Sequence, residues 1–303
     1  MTVSETNKPP MPRYESFKEL LAYCAENRCS IAEAALRWEA SHSGLPHEKI
    51  LEKMQAILQQ MRDTVNSGLN SAEKSLSGLS GGDAQRIMNF LGKPQCLLSP
   101  LEMRMIAYGL ATLEENARMK TIVACPTAGG SGSVPAVLVA LEDEAGISRD
   151  KTVLGLVTAG CIGEITARKL YLSGASAGCQ AEVGVATGMA AGAMVEALGG
   201  TPEQVLHAAA ISMQNLMGLV CDPVAGLVEV PCVVRNGLAG IQSGASATMA
   251  LAGVKSFVPL DEVVMAMAHV GKLMHPSLKE TSDGGLAQTP TAKKFAKKFL
   301  KEN

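Results

Sequence analysis

Three separate stretches of the chain carry the same helix-start signal, a hydroxyl residue followed three positions later by an acid or an amide. The pairs are Ser30 with Glu33, Ser99 with Glu102, and Thr201 with Gln204. In this capping-box pattern the first side chain accepts a hydrogen bond from the backbone of the third helical residue, and the third side chain bonds back. Two of the starts also place proline at the first helical position. The signals predict a chain that folds mainly into α-helices.

Apolar spacing extends this prediction. After Thr201, apolar residues recur at positions 206, 210, 213 and 217, which is one face of a helix that ends near Gly218. Residues 47–65 and 261–274 show the same period. Strand-like alternation is nearly absent, and its best candidate is the short TIVAC at 121–125. We therefore expect an all-α or predominantly α fold, a helical domain with glycine-rich loops between its helices.

The composition changes near residue 75. We predict an N-terminal charged helical segment over 1–75 and a Gly/Ala-rich helical region over 76–303 that forms one continuous domain. Glycine-rich turns recur in the second region, at 77–84, 126–133, 173–184 and 283–290. Because glycine weakens helices, so many glycines between helices indicate backbone that approaches a ligand or other backbone closely.

The charge balance limits the classes of partner. With 27 basic and 29 acidic residues, the chain has no overall attraction to nucleic acid or to an anionic membrane, so we expect neither as a partner. The first twenty residues carry charges and prolines instead of the apolar run of a secretory signal. The apolar stretch 181–200 is interrupted by Glu182 and Glu196, which favours a buried helix over a membrane span. We expect a cytoplasmic protein with a small zwitterionic or uncharged ligand.

Eight cysteines in a reducing compartment are core residues, metal ligands or reactive thiols. Cys24, Cys29 and Cys96 resemble structural or surface thiols, and we expect Cys161 to be buried. Three others differ, because each lies beside glycine or proline, at a predicted helix boundary and close to a carboxylate. They are Cys179, Cys221 and Cys232. At helix ends and at turns with glycine or proline, backbone amides can point towards anionic centres such as thiolates.

These residues alone leave a metal site and simply buried thiols both open. Zinc would require a fourth ligand, and no histidine forms a short-spaced pair with the three thiols. Three sulfur ligands without a fourth suit an iron–sulfur cluster with one open iron.

The sequences GCQAEVG at 178–184 and GLVCDPVAGLVEVPC at 218–232 resemble the alpha chain of bacterial iron–sulfur-dependent L-serine dehydratase, an L-serine ammonia-lyase. Motifs at 77–84, 126–135, 199–204 and 280–291 fall in the order of that family, so the resemblance covers nearly the whole chain. It implies a helical catalytic domain that converts L-serine to pyruvate and ammonia, in amino-acid degradation and gluconeogenesis. It also implies a [4Fe–4S] cluster held by Cys179, Cys221 and Cys232, with the fourth iron left for substrate, and a beta chain as partner.

Within this resemblance, the loop PTAGGSGSVP is the expected cradle for the serine carboxylate, because it opens onto a helix N-terminus near Val134. Its expected substrate-binding residues are Thr127, Ala128, Gly129, Gly130, Ser131 and Ser133. The alternative is a tight turn packed for shape. Similarly, the charged residues near the thiols either surround the cluster and orient substrate or serve as helix caps and surface pairs. They are Glu182, Asp222, Glu229 and Arg235.

Two positions depart from the threonine that the family is expected to favour, Ser80 and Cys125, and Cys125 adds a thiol that could compete for iron. The proton acceptor stays unassigned. His207 and His275 have a suitable pKa range, yet the base could also lie on a partner chain.

Other functions remain open. A related cluster-dependent lyase could act on cysteine or threonine. A pyridoxal-phosphate dehydratase would need a Schiff-base lysine, and residues 121–253 contain only Lys151 and Lys169, neither beside a matching loop. A non-enzymatic helical scaffold would simply bury the thiols.

Overall fold

The computed structural model describes residues 14–302. The expectation that the N-terminus lacks a secretory signal therefore falls largely outside the described residues. Within them the chain forms α1 Phe17–Asn27, α2 Ile31–Ser43, α3 His47–Leu69, α4 Asp83–Phe90, α5 Pro100–Ala117, α6 Ser133–Ala145, α7 Arg149–Ala167, α8 Gly174–Ala177, α9 Val185–Ala197, α10 Pro202–Asn215, α11 Cys232–Leu251, α12 Leu260–Leu273 and α13 Pro290–Glu302. The predominantly α prediction is confirmed.

All three predicted capping boxes begin helices. Ser30, Ser99 and Thr201 cap α2, α5 and α10, and in each case both reciprocal hydrogen bonds are present. Helix α10 ends at Asn215, three residues before the predicted end. The predictions from these local signals are correct because each capping side chain bonds backbone amides that the first helical turn would otherwise leave without partners.

The segment 121–125, the best candidate for a strand in the sequence, does not form one. This segment is irregular, and the described residues contain no strand, only an isolated bridge between Cys221 and Lys279. The Thr121 carbonyl accepts a hydrogen bond from the Thr64 hydroxyl at 3.0 Å, and the Cys125 amide donates to the Thr127 carbonyl at 3.3 Å. Side-chain and turn bonds therefore take the place of a neighbouring strand.

Helix α9 lies at the centre of the molecule, and all its residues except Glu196 are buried. It packs against α6, α7, α10 and α11. Close approach depends on small residues, since a Cβ added at Gly155 of α7 would lie 2.7 Å from the Ala193 carbonyl oxygen of α9. The prediction of a buried helix here is confirmed. Among the described helices, none combines the length and apolarity needed to cross a membrane.

The N-terminal helices pack on the same core. Helix α2 contacts α7, and α3 contacts α5. One hydrophobic cluster contains Phe17 and Leu58 from the N-terminal part together with Leu138 and Met213 from the later helices. The composition-based boundary at residue 75 stays a prediction.

Two helices frame the segment that carries the cysteines. Helix α11 begins at Cys232 and packs along α5, where a Cβ added at Gly109 would lie 2.4 Å from the Asn236 carbonyl oxygen. The final helix α13 is amphipathic and contacts the short turns Val224–Gly226 and Gly285–Gln288. The contact with Val224–Gly226 places α13 against the loop between Cys221 and Cys232.

Candidate metal centre

Each of the three predicted ligands lies at a break in helical structure. Cys179 precedes a π-helical turn at Gln180–Gly184 that leads into α9, Cys221 lies in the loop after α10, and Cys232 is the first residue of α11. Single π-helical turns are frequent at functional sites. Gln180 joins the first two segments, because its amide donates to the Leu219 carbonyl at 2.9 Å and its side-chain oxygen accepts from the Gly218 amide at 3.0 Å.

The structure brings two thiols and one carboxylate together. The Sγ atoms of Cys179 and Cys221 and a carboxylate oxygen of Glu182 all lie within 4.8 Å of one another. The two cysteines are 1% and 3% exposed. For Glu182 the sequence left open a place around the cluster or a role as a helix cap or surface pair, and the structure makes its carboxylate part of the candidate ligand group.

Cys232 lies outside this close group but at the same end of the fold, and it is 5% exposed. One turn further along α11, the Arg235 guanidinium donates to the Val220 carbonyl at 2.9 Å and to Asp222 Oδ1 at 3.0 Å. The positive charge of Arg235 also helps to lower the pKa of Cys179. The first turn of α11 is thus anchored to the segment that carries Cys221.

The electrostatics link all three sulfurs. The hydrogen bond from the Cys221 thiol lowers the pKa of Cys179, with the Arg235 charge acting in the same direction against burial. The same pairing, together with burial, raises the pKa of Cys221. Burial raises the pKa of Cys232 to about 12, and negative charge at Cys179 adds to this rise. Of the three thiols, Cys179 is therefore the one whose pKa its surroundings lower.

The predicted cradle packs directly on the π-helical turn. The Thr127 hydroxyl donates to Glu182 Oε1 at 2.7 Å. Gly129 lies so close that an added Cβ would be 3.2 Å from both carboxylate oxygens. Burial raises the pKa of Glu182, and the bond from Thr127 opposes that rise. The loop at 126–133 is therefore brought beside the thiols by the carboxylate.

Asn236 holds the other side of this loop and was missed by sequence reasoning. Its side-chain amide donates to the Gly129 carbonyl at 2.7 Å, and its oxygen accepts from the Gly132 amide at 3.0 Å. The available signal was an asparagine inside a helix, four residues after Cys232. Asparagine is disfavoured in helix interiors unless its side chain has a specific partner.

Members of the predicted cradle differ in accessibility. Ser131 and Ser133 are fully buried, and their hydroxyls donate to the Ala128 carbonyl at 2.8 Å and to Asn236 Oδ1 at 3.4 Å. Thr127 is half-buried and Ala128 is exposed. Helix α6 begins at Ser133, next to the predicted position. Substrate binding by these residues stays a prediction.

Two further carboxylates fix loops around the cysteines. Glu229 accepts hydrogen bonds from the hydroxyls of Ser75, Ser77 and Ser80 at 2.6, 2.7 and 2.6 Å. Asp222 accepts the Leu286 amide at 2.8 Å in addition to Arg235. The motifs at 77–84 and 283–290 are thereby tied to the segment that runs from Cys221 to Cys232.

The remaining cysteines and the histidines lie outside the ligand group. Cys24, Cys29 and Cys125 are buried, and Cys96 is partly exposed. The expectation that Cys161 is buried is wrong, since α7 faces a groove at this residue and leaves it partly exposed.

Neither histidine considered as a base belongs to the ligand group. Burial lowers the pKa of His207 on α10, and His275 accepts the Ser277 amide at 3.2 Å. The structure assigns no base among them.

The donor set matches a soft metal centre. Thiolate ligands select iron–sulfur clusters, zinc and copper(I). Backbone amides at turns and a nearby cation stabilise the negative charge of the thiolates. A cluster of several irons does not require its ligand sulfurs to be in mutual contact, because each binds a different iron. The group of Cys179, Glu182 and Cys221 could therefore hold a metal ion and is compatible with an iron–sulfur cluster.

The comparisons with known proteins agree with one another. The family model described as serine dehydratase alpha chain matches residues 26–287. The chain is 43% identical to the probable L-serine dehydratase, alpha chain, of Bacillus subtilis (strain 168), over 95% of each chain. It is 40% identical to the L-serine dehydratase, alpha chain, of Peptoniphilus asaccharolyticus, over 94% of this chain and 98% of the relative. It is 38% identical to L-serine dehydratase 1 of Escherichia coli (strain K12), over 92% of this chain and 62% of that relative. The chain belongs to the serine dehydratase alpha chain family.

Proposed function

We propose that this chain is the alpha chain of an iron–sulfur-dependent L-serine dehydratase, a lyase that converts L-serine to pyruvate and ammonia. Family membership supports the reaction, since the relatives that match over nearly their whole length carry that name. The observation that carries the mechanism is the buried group of Cys179, Glu182 and Cys221, whose ligand atoms lie within 4.8 Å.

The cofactor in this proposal is a [4Fe–4S] cluster held by Cys179, Cys221 and Cys232. When bound, it supplies an open iron that acts as a Lewis acid on the serine hydroxyl. The protein contributes the surroundings. Arg235 places a positive charge against the thiolates, and Asp222 and the Val220 carbonyl fix its guanidinium. Such supporting contacts orient ligands and tune the metal.

The loop at 127–133 is the proposed carboxylate site. Ala128 and Gly129 begin a short 3₁₀ turn, where the first backbone amides lack acceptors within the turn. Thr127 and Asn236 fix this turn beside Glu182 through bonds of 2.7 Å each. A serine carboxylate bound to these amides would bring the hydroxyl group of the substrate towards the thiols.

The partner is a beta chain, as the family description of an alpha chain suggests. We leave the proton acceptor unassigned on this chain and propose that the partner could supply it. We propose the cytoplasm as the compartment, because all eight cysteines are free thiols and reduced thiols persist there.

Anaerobic reconstitution tests this function. The chain is purified with a candidate beta chain, loaded with iron and sulfide, and assayed for bound iron, visible absorption and pyruvate formation from L-serine. Cys221→Ala should lose iron and activity, whereas Cys96→Ala, at a partly exposed thiol outside the ligand group, should retain both. Full activity in a Cys221→Ala protein without iron would contradict the proposal.

The same assay separates the alternatives. L-cysteine and L-threonine offered beside L-serine identify the preferred substrate. A pyridoxal-phosphate enzyme would show an imine absorption band and activity without iron. The structure gives that alternative little support, because Lys169 is engaged with Asp261 at 2.5 Å and Lys151 lies on the first turn of α7.

A further inference from the structure

The segment after α12 passes directly beside Cys221. The Cys221 amide donates to the Leu278 carbonyl at 2.9 Å, and the Glu280 amide donates to the Cys221 carbonyl at 2.8 Å. This pair of bonds is the isolated bridge, and it fixes the backbone of residue 280 against a proposed cluster ligand. The position of Glu280 is thus set by the same loop that carries the metal site.

Glu280 has an unusual backbone conformation for its residue type. Its φ is +65°, in the left-handed region that side chains other than glycine rarely adopt, and Ser282 shares this conformation with φ +60°. Disfavoured backbone of this kind persists where the surrounding structure imposes it, and it concentrates at ligand sites. Here the surrounding structure is the bridge to Cys221 and the bond from the Ser282 hydroxyl to the Pro223 carbonyl at 2.7 Å.

The Glu280 side chain lines an open cavity of about 420 Å³. The same cavity is lined by Ala225 and Gly226, from the loop between Cys221 and Cys232, and by Lys293 of α13. The Glu280 residue is exposed, and within residues 14–302 no hydrogen bond or ion pair engages its carboxylate. A charge without a partner, placed in a cavity beside the site, is available to a ligand.

The Glu280 residue also lies next to the candidate metal centre, because its amide bonds the carbonyl of Cys221 itself at 2.8 Å. Glu182 itself is not available to a substrate cation in the same way, since it is largely buried and bonded to Thr127. An amino acid is a zwitterion, so a site that binds its carboxylate at the loop 127–133 still needs an anion for its ammonium group.

We propose that Glu280 binds the α-ammonium group of the amino-acid substrate and so selects amino acids over hydroxy acids. This inference rests on the proposed function, and it adds a specificity-determining residue to it. The substrate would then be held at three points, with its carboxylate at the 127–133 loop, its hydroxyl towards the thiols and its ammonium at Glu280.

The test compares L-serine with 3-hydroxypropanoate, which has the same carboxylate and hydroxyl but lacks the ammonium. The reconstituted alpha–beta protein is studied as wild type, as Glu280→Gln and as the control Asp283→Asn. The control removes the same charge from an exposed residue in the same segment. The readouts are bound iron, the Kd for L-serine and for 3-hydroxypropanoate by calorimetry, and KM and kcat for L-serine.

We expect Glu280→Gln to raise the Kd and KM for L-serine about ten- to a hundredfold, the effect of losing a hydrogen bond between charged groups. Bound iron and the Kd for 3-hydroxypropanoate should stay at wild-type values, and Asp283→Asn should match wild type throughout. Unchanged serine affinity, equal weakening of both ligands, a loss of iron, or a fall in kcat alone would each overturn the proposal. If the wild type binds serine through Glu280 but forms no pyruvate, the proposed reaction fails and the ammonium contact stands.

Discussion

The Thr127 hydroxyl donates a 2.7 Å hydrogen bond to the carboxylate of Glu182, which joins the glycine-rich loop before α6 to the turn that follows Cys179. The two residues are 55 positions apart in the chain. Their contact brings the proposed carboxylate site beside the proposed metal centre. Because the carboxylate is largely buried, its few partners carry much of the energy of this junction.

Replacing Thr127 with valine should weaken the junction. The variant leaves a buried carboxylate without one of its donors, and we expect a loss of about 1.5–3 kcal/mol in the free energy of unfolding, together with a lower rate of pyruvate formation. Urea unfolding of the metal-free chain measures the first effect. Thr248→Val is the control, since that exposed hydroxyl bonds only the Gly244 carbonyl of its own helix. Equal stability of the two variants would refute the prediction.

Arg235→Met should reduce metal affinity about ten- to a hundredfold, as expected when a contact that supports metal ligands is lost. The change removes the positive charge beside Cys179 while keeping much of the side-chain volume. Iron retained after a chelator challenge is the measurement. Arg86→Met, at an exposed ion pair on α4, should retain wild-type iron. Equal iron retention in both variants would mean that Arg235 does not support the centre.

Glu229→Gln should destabilise the protein by about 3 kcal/mol, because three hydroxyls lose a charged acceptor and meet an amide that donates as well as accepts. Iron binding should also weaken, since the Glu229 carbonyl accepts the Val233 amide at the start of α11, next to Cys232. Thermal unfolding and bound iron are compared with Glu26→Gln on exposed helix surface. A Glu229 variant as stable as this control would contradict the role of the serine contacts.

Gly109→Ala should destabilise the protein by at least about 2 kcal/mol through overpacking. The added Cβ would lie 2.4 Å from the Asn236 carbonyl oxygen, so α11 would have to move away from α5. Gly160→Ala is the matched control, because no atom lies within 4 Å of its added Cβ. That variant should be neutral or stabilised by up to about 1 kcal/mol, owing to the better helix propensity of alanine. Similar unfolding midpoints for the two variants would disprove the close contact.

We expect the free energy of unfolding to depend on pH through the carboxyl group of Glu114. Burial raises its pKa, although Oε1 accepts the amides of Asp83 and Ala84 at 2.6 and 3.3 Å. A carboxyl group with a raised folded pKa binds protons more strongly in the folded state. Its contribution to stability is therefore complete below the unfolded pKa, about 4.3, and is lost as pH rises towards the folded value.

Glu114→Gln should remove this dependence while its side-chain oxygen still accepts the two amides. We expect the stability of the variant relative to wild type to increase between pH 4.5 and pH 7.5, as measured by urea unfolding. A constant difference across that range would show that Glu114 does not titrate in this window.

Much of the helical structure could be predicted because its signals are local. Ser30, Ser99 and Thr201 each act on amides within one turn, so tertiary contacts did not change their roles. The strand candidate at 121–125 does not form a strand, because a strand depends on a partner elsewhere in the chain and none is present among the described residues. Cys161 was misjudged because an apolar neighbourhood in sequence does not say which side of α7 faces the core.

For the site, sequence alone provided the helix starts, the glycine-rich turns and three cysteines at helix boundaries, and resemblance to a family gave those cysteines a shared role. Only the tertiary structure decided that Glu182 meets the sulfurs of Cys179 and Cys221 and that Asn236 holds the neighbouring loop. It also placed Glu280 beside Cys221. Propensities and caps act within a few residues, whereas these contacts join segments far apart in the chain, and their distances depend on how the helices pack.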